Sequence, residues 1–250
     1  MTKLITNATI VKAIQLKLVG QVQGIGFRPV LARLARQLDV TGLVCNTTDG
    51  IELHIEGEPD AISRFTRDCR QTCPTGGQIE SVHVCQAECQ NKRSFEIINA
   101  STLGQLSTPI PVDRVTCAVC LSETFQPDDR RFGFLLNSCC QCGPRYTILD
   151  RLPYERESTS MKGFQMCGPC QSEYNAPDHR RYHAQTNCCK DCGPKLLGLQ
   201  DALSSLKLGQ IVAVKGLGGY QLIGLASNLM AISHLRTLKG RLSKPLAVMV

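Results

Sequence analysis

The sequence predicts an α+β chain of several domains: a βαββαβ unit, then a duplicated four-cysteine module, then the beginning of a further α/β unit. Apolar residues in the first hundred positions alternate at strand spacing around two helical stretches. Most of the fifteen cysteines lie mid-chain, in Cys-x-x-Cys pairs whose spacing repeats. Beyond residue 196 the cysteines stop and a helix, strand, helix pattern begins.

In residues 13–20, Ile14, Leu16 and Leu18 alternate with polar neighbours, the period of a half-buried strand. Pro29 sits where a first helical turn tolerates it, and Val30, Leu31, Leu34, Ala35 and Leu38 then recur at helical spacing. Residues 41–46 and 51–57 read as two strands joined by a turn through Thr47, Thr48, Asp49 and Gly50. A helix over 60–70 sets Ile62, Phe65 and Cys69 on one face, and strand-like runs return at 81–87 and 94–99. The order is βαββαβ with room for one extra strand. Residues 12–99 form this first domain, and 100–111, rich in Ser, Thr, Gly and Pro without a period, form a linker.

Residues 112–195 contain a repeat that can be counted. Cys117-x-x-Cys120, eighteen residues, then Cys139-x-x-Cys142-Gly-Pro recurs fifty positions on as Cys167-x-x-Cys170, eighteen residues, then Cys189-x-x-Cys192-Gly-Pro. Glu123, Pro127, Asp128, Arg130 and Arg131 recur as Glu173, Pro177, Asp178, Arg180 and Arg181. The modules thus span about 117–144 and 167–194. Each Cys-x-x-Cys puts two thiolates on one tight turn, and two pairs complete the tetrahedral sulfur shell that structural zinc accepts. Iron in a rubredoxin-like site is the chemical rival, with disulfides behind it. Each repeat is taken as self-contained, although the spacing also allows ligands to cross. Cys140 and Cys188 break the spacing and read as bystanders. Cys45, Cys69, Cys73, Cys85 and Cys89 read as buried small apolar residues, and His179 and His183 as surface or packing residues.

With aromatics at 5% and no tryptophan, core volume must come from Leu, Ile and Val, helped by metal where cores are small. The first twenty residues place Lys3, Lys12 and Lys17 among short apolar runs, leaving no secretory leader and no membrane span. A cytoplasmic protein is expected, and there thiols stay reduced. The charge of +7 suits phosphate esters and acidic proteins as well as nucleic acid. With no dense basic run and few stacking aromatics, neither nucleic acid nor membrane is an expected partner.

Gly20, Gly24, Gly26 and Arg28 punctuate a loop between a strand and a helix N-terminus, where free backbone N–H groups and the helix dipole favour an anion. Arg28 adds a bidentate fork for phosphate oxygens. Asn46, ending the adjacent strand, could hold a water by its amide. Glycines near a strand end are by themselves equally a tight turn. Residues 20–28 together with Asn46 resemble the acylphosphatase signature, and βαββαβ is that family's ferredoxin-like fold. The resemblance implies hydrolysis of an acyl phosphate. Val22, Gln23, Gly24, Ile25, Gly26, Phe27 and Arg28 would cradle the phosphoryl group, Arg28 would stabilise its charge and Asn46 would orient the attacking water.

Residues 198–250 predict a helix over 199–208, a strand over 210–215, a glycine turn over 216–219, a helix near 228–238 and a strand over 246–250, at which the chain stops. The stretch 211–220 and the later run 235–249 resemble the start of a YrdC-type nucleotide-binding domain, α/β in fold and incomplete here. By that resemblance Lys215, Arg236, Lys239, Arg241 and Lys244 lie near the phosphates of ATP; as isolated charges they are a solvated face.

The order acylphosphatase, two four-cysteine zinc fingers, YrdC-like domain resembles the HypF family of hydrogenase-maturation carbamoyltransferases, and the chain is identified as the N-terminal part of such a protein. The resemblance implies that carbamoyl phosphate is cleaved at the first domain and that ATP converts the carbamate to carbamoyl-adenylate. The carbamoyl group then passes to the C-terminal cysteine of HypE, the source of the cyanide ligands. A truncated chain is expected to keep acyl-phosphate hydrolysis and two zinc sites. Two other readings are a stand-alone acylphosphatase with appended zinc fingers and a zinc-dependent nucleic-acid or protein-binding module.

Overall fold

The computed structural model describes residues 11–100, 107–216 and 219–249. Lys3, the linker residues 101–106, the turn residues Leu217 and Gly218, and Val250 lie outside the described residues. The described residues up to Pro194 pack as one compact unit and the described residues from Lys195 onward as a second.

The first unit begins with β1 (Lys12–Gln21), α1 (Phe27–Gln37), β2 (Thr41–Thr47), β3 (Gly50–Gly57), α2 (Pro59–Gln71), β4 (Gln78–Ala87) and β5 (Phe95–Ile97). The strands lie in the order β4-β1-β3-β2-β5, antiparallel except for the β2–β5 pair. This is an α+β sheet with the extra strand realised as β5. Register explains the layering: Leu16 faces Leu53 and Leu18 faces Ile51, so one sheet face is mainly apolar, with Asn46 opposite Ile51 at its end. Leu31 and Ala35 of α1 and Ile62 and Phe65 of α2 close over that face. On the other face Lys17 pairs with Asp49 at 2.5 Å and Glu52 at 3.4 Å.

Two of the cysteines expected to be buried are exposed. Cys45 and Cys69 are enclosed and Cys73 half-buried, but Cys85 and Cys89 face solvent. Cys85 lies on the edge strand β4 opposite Gln15, whose side chain points away from the helices, so register overrides the preference of cysteine for the interior.

The cysteine modules contribute α3 (Ala118–Phe125) and α4 (Gly168–Asn175), each starting directly after the first cysteine of its repeat. Between them the chain runs through three short 3-10 turns, Tyr146–Ile148, Arg156–Ser158 and Ser160–Gly163.

The second unit holds α5 (Leu199–Lys207), a hairpin of β6 (Val212–Gly216) and β7 (Gly219–Ile223), and α6 (Leu229–Lys239). Strand β7 was not anticipated from the sequence. The strand expected over 246–250 is absent from described residues 246–249. A strand needs a backbone partner, and β6 and β7 pair with each other. No helix among the described residues is long and apolar enough to cross a membrane.

Candidate functional site

The ladder between β1 and β4 shifts register between Val19 and Gly20, and the chain then enters the glycine loop. Gly24 and Gly26 adopt left-handed conformations with φ of 69° and 75°. A Cβ on Gly26 would stand 2.8 Å from that of Cys140, and one on Gly24 would stand 2.6 Å from that of Pro111. Only glycine therefore satisfies both the turn and its neighbours. Helix α1 starts at Phe27, leaving first-turn N–H groups without intrahelical acceptors beside Arg28.

Gln23 ties this loop to the β2–β3 turn, its Nε2 donating to the carbonyls of Thr47 at 2.7 Å and Gly50 at 2.8 Å. Asn46, buried at the end of β2, donates from Nδ2 to the Tyr154 carbonyl at 3.0 Å and to Glu155 Oε1 at 3.1 Å. Its Oδ1 is buried with no hydrogen-bond partner. The buried guanidinium of Arg28 grips the same Glu155 carboxylate, Nη1 donating to Oε1 and Nη2 to Oε2 at 3.0 Å. Arg28 and Asn46 are thus brought together on one anion, and that anion belongs to the segment between the cysteine modules.

That segment forms the opposite wall. Tyr154 N donates to Gln23 Oε1 at 3.0 Å, and Gln185 Nε2 donates to Glu155 Oε2 at 3.1 Å. Arg145 reaches across from the first module: its Nε donates to the Gly24 carbonyl and its Nη2 to that of Cys140 at 2.7 Å, with the guanidinium 5.7 Å from the centre of the Tyr154 ring. His183, at φ 50°, lies between the rings of Tyr174 and Tyr182, and burial, aided by the Arg28 charge, pushes its imidazole down to about 4. His183 is therefore a neutral packing residue at neutral pH. The cavity between loop and wall is about 30 Å³. Sequence reasoning missed Arg145, Tyr154, Glu155 and Gln185; Tyr154 and Glu155 stand outside both repeats, where no spacing could flag them.

The eight spaced cysteines gather into two sets, Cys117, Cys120, Cys139 and Cys142, and Cys167, Cys170, Cys189 and Cys192, with all sulfurs of a set within 4.8 Å of one another. In the first, Cys117–Cys139, Cys139–Cys142 and Cys120–Cys142 stand 3.9, 3.7 and 3.6 Å apart. In the second, Cys167–Cys189, Cys189–Cys192 and Cys170–Cys192 stand 3.7, 3.9 and 3.6 Å apart. A tetrahedron with Zn–S bonds of ~2.3 Å has edges of ~3.8 Å, whereas a disulfide needs ~2.0 Å. The thiols fit zinc, and each set comes from one repeat. Burial pushes the thiols of Cys140 and Cys188 up to about 11, keeping both protonated. His179 accepts from Arg181 N through Nδ1 at 3.1 Å and joins neither set.

Although the ligands stay within repeats, the charges exchange. Arg180 of the second module donates to the sulfurs of Cys117 and Cys120, each at 3.1 Å, and to Glu123 at 2.9 Å. Arg181 donates to Glu123 and to Asn137 Oδ1 at 3.0 Å. Reciprocally, Arg130 of the first module donates to Cys170 Sγ at 3.0 Å, and Arg131 to Glu173 Oε1 and Asn187 Oδ1, each at 3.0 Å. Burial alone would raise the Glu173 carboxyl, but Arg131 and Arg130 outweigh it and hold it at about 2. Four thiolates around a Zn²⁺ ion would carry a net −2 charge, and these guanidinium groups are placed to offset it.

The five residues expected near a nucleotide do different things. Lys215 Nζ donates to the Gly216 carbonyl at 2.7 Å, and Arg236 reaches the Lys244 carbonyl at 2.8 Å, while the side chains of Lys239, Arg241 and Lys244 are exposed.

Against known proteins, the acylphosphatase family profile matches residues 14–97, the HypF finger profile 116–149 and 166–197, and the profile described as telomere recombination (Sua5/YciO/YrdC) residues 204–250. The chain is 44% identical over 252 residues to the carbamoyltransferase HypF of Synechocystis sp., covering 95% of this chain and 33% of that protein. It is 37% identical over 86 residues to an acylphosphatase of Nocardioides sp., covering 34% of this chain and 86% of that one. A crystal structure of full-length HypF in a phosphate- and nucleotide-bound form superposes with a TM-score of 0.75 at 35% identity, over 97% of this chain and 33% of that one. The chain therefore spans about a third of the length of the HypF relatives it matches.

Proposed function

Since the chain belongs to the HypF family, with residues 14–97 an acylphosphatase domain, we propose that its first site hydrolyses carbamoyl phosphate. The observation that carries this reading is the convergence of Arg28 and Asn46 on a single anion beside a glycine loop and a helix N-terminus. In the reaction the phosphoryl oxygens take the Arg28 fork and the N–H groups of residues 22–28. The free Oδ1 of Asn46 accepts a hydrogen from water and aims its oxygen at phosphorus. Catalysis is then positioning plus stabilisation of charge on the phosphoryl oxygens.

The two cysteine sets hold Zn²⁺ as closed structural sites that maintain the opposite wall. In the longer protein, carbamate released here is adenylated with ATP at the YrdC-like domain and transferred to the C-terminal cysteine of HypE. Lys215, Arg236, Lys239, Arg241 and Lys244 are proposed to lie near the nucleotide. The boundaries 12–99, 112–195 and 198–250 are proposed as the domain limits, and the cytoplasm as the compartment.

The test is release of inorganic phosphate from carbamoyl phosphate by the purified chain and its Arg28→Ala variant. Activity should fall by about two to three orders of magnitude in the variant, as when a principal oxyanion donor is removed. Equal rates in the two proteins would remove the first domain from the reaction.

A further inference from the structure

Glu155 takes the donors that an acyl phosphate would need. Its Oε1 accepts from Arg28 Nη1 and Asn46 Nδ2, and its Oε2 from Arg28 Nη2 and Gln185 Nε2. Its carboxylate oxygens therefore stand in for two phosphoryl oxygens. Both terminal nitrogens of Arg28 and the amide of Asn46 are already taken by Glu155, so a phosphoryl group and this carboxylate cannot hold these donors together.

The backbone on either side of this carboxylate is held firmly. Tyr154 is bonded through both its N–H and its carbonyl to Gln23 and Asn46. Arg156, buried, donates from its side chain to the carbonyls of Gln185 at 2.6 Å, Asn187 at 3.0 Å and Phe164 at 2.6 Å. The Glu155 side chain alone retains some access to solvent, at 17% exposure. It can rotate outward while its backbone stays, so the carboxylate competes from a fixed tether at high effective concentration.

We infer that Glu155 is a specificity-determining residue of the acyl phosphate site, a resident carboxylate that only a phosphoryl group displaces. An entering monocarboxylate exchanges one carboxylate on Arg28 for another and gains nothing. A phosphoryl dianion brings more charge and a third oxygen for the loop N–H groups, which the Glu155 carboxylate does not use. The selection also acts on products: carbamate is a carboxylate monoanion and has no advantage over Glu155 in holding the site. This rests on the proposed role of Arg28 and Asn46 as anion-binding groups.

The experiment is calorimetric titration of the zinc-loaded chain with inorganic phosphate and with acetate, for wild type, Glu155→Gln, Glu155→Asp and Arg28→Ala, alongside the KM for carbamoyl phosphate. Removing the competitor raises the fraction of open sites, so phosphate should bind Glu155→Gln about tenfold more tightly or better, with KM falling in parallel. Acetate should become a measurable ligand of that variant alone. Glu155→Asp, which keeps the charge but shortens the reach, should lie between, and serves if the glutamine variant loses its zinc. Phosphate affinity that is unchanged or weaker in both variants, or absent from all four proteins, overturns the inference. Tighter phosphate binding without hydrolysis in any variant upholds it and defeats the catalytic reading instead.

Discussion

The largest fully enclosed side chains of the sheet domain are apolar, among them Phe27, Phe65, Leu16, Leu18, Leu53 and Ile55, whereas those of the cysteine modules are Arg131, Arg145 and Arg181. Each material sets a different rule. An apolar interior is held by area removed from water and tolerates exchange of one apolar residue for another of similar volume. An interior of guanidinium, carboxylate and thiolate groups is held by directed bonds, and deleting one partner leaves a charge stranded away from water. The modules therefore gain stability from metal and from pairing where the sheet gains it from packing, and they tolerate less.

Removing the metal breaks the comparison most severely. Structural zinc contributes about 10–16 kcal/mol in small modules of this kind, so a strong chelator at neutral pH should unfold residues 112–194 and leave the sheet standing. Hydrogen exchange should show protection lost from α3 and α4 and kept in β1 and β3; equal loss in both regions would erase the distinction.

A smaller effect separates pairing from packing. Glu123→Gln leaves Arg181, 2% exposed, without its carboxylate, and should cost about 3–5 kcal/mol in urea unfolding followed by zinc release. A cost under about 1 kcal/mol, the value of a solvated pair, would mean that these guanidinium groups are stabilised some other way.

The smallest effect sits where the two regions meet. The folded-state pKa of His183 lies at about 4, below the usual 6.5, so the unfolded chain takes up its proton first as pH falls. The stabilisation is complete above pH 6.5 and is lost progressively toward pH 4. His183→Asn, which tolerates the same left-handed backbone, should flatten the decline in melting temperature between pH 6.5 and 5. An identical decline in both proteins would exclude His183 as its source.

The two regions also differed in how far the sequence disclosed them. Alternation of Ile14, Leu16 and Leu18 and the helical spacing after Pro29 suffice for the sheet domain, because each element's period reports its own burial. The cysteine spacing exposed both thiol sets for a similar reason, since the ligands of a set sit on two local turns. The repeat of Glu123, Arg130 and Arg131 at Glu173, Arg180 and Arg181 was visible too, but not the exchange between copies, because self-similarity carries no information about which copy faces which. Glu155 was hidden more deeply still. It lies 127 positions from Arg28, outside both repeats, and a single carboxylate in a loop has no period. The error at Cys85 arose because a residue's preference says nothing about which edge of a sheet its strand will occupy.

The exchanged arginines carry a consequence for chains with a single module. Glu123 meets the guanidinium groups of the other repeat, and the guanidinium groups of Arg130 and Arg131 meet the carboxylate of Glu173. A lone module would have to find both in another molecule, and a second copy of itself offers them in the correct arrangement. The approximate two-fold relation inside this chain would then become an exact symmetry axis between identical subunits. In this chain the covalent link supplies that second subunit at a fixed one-to-one ratio, whatever the protein's concentration.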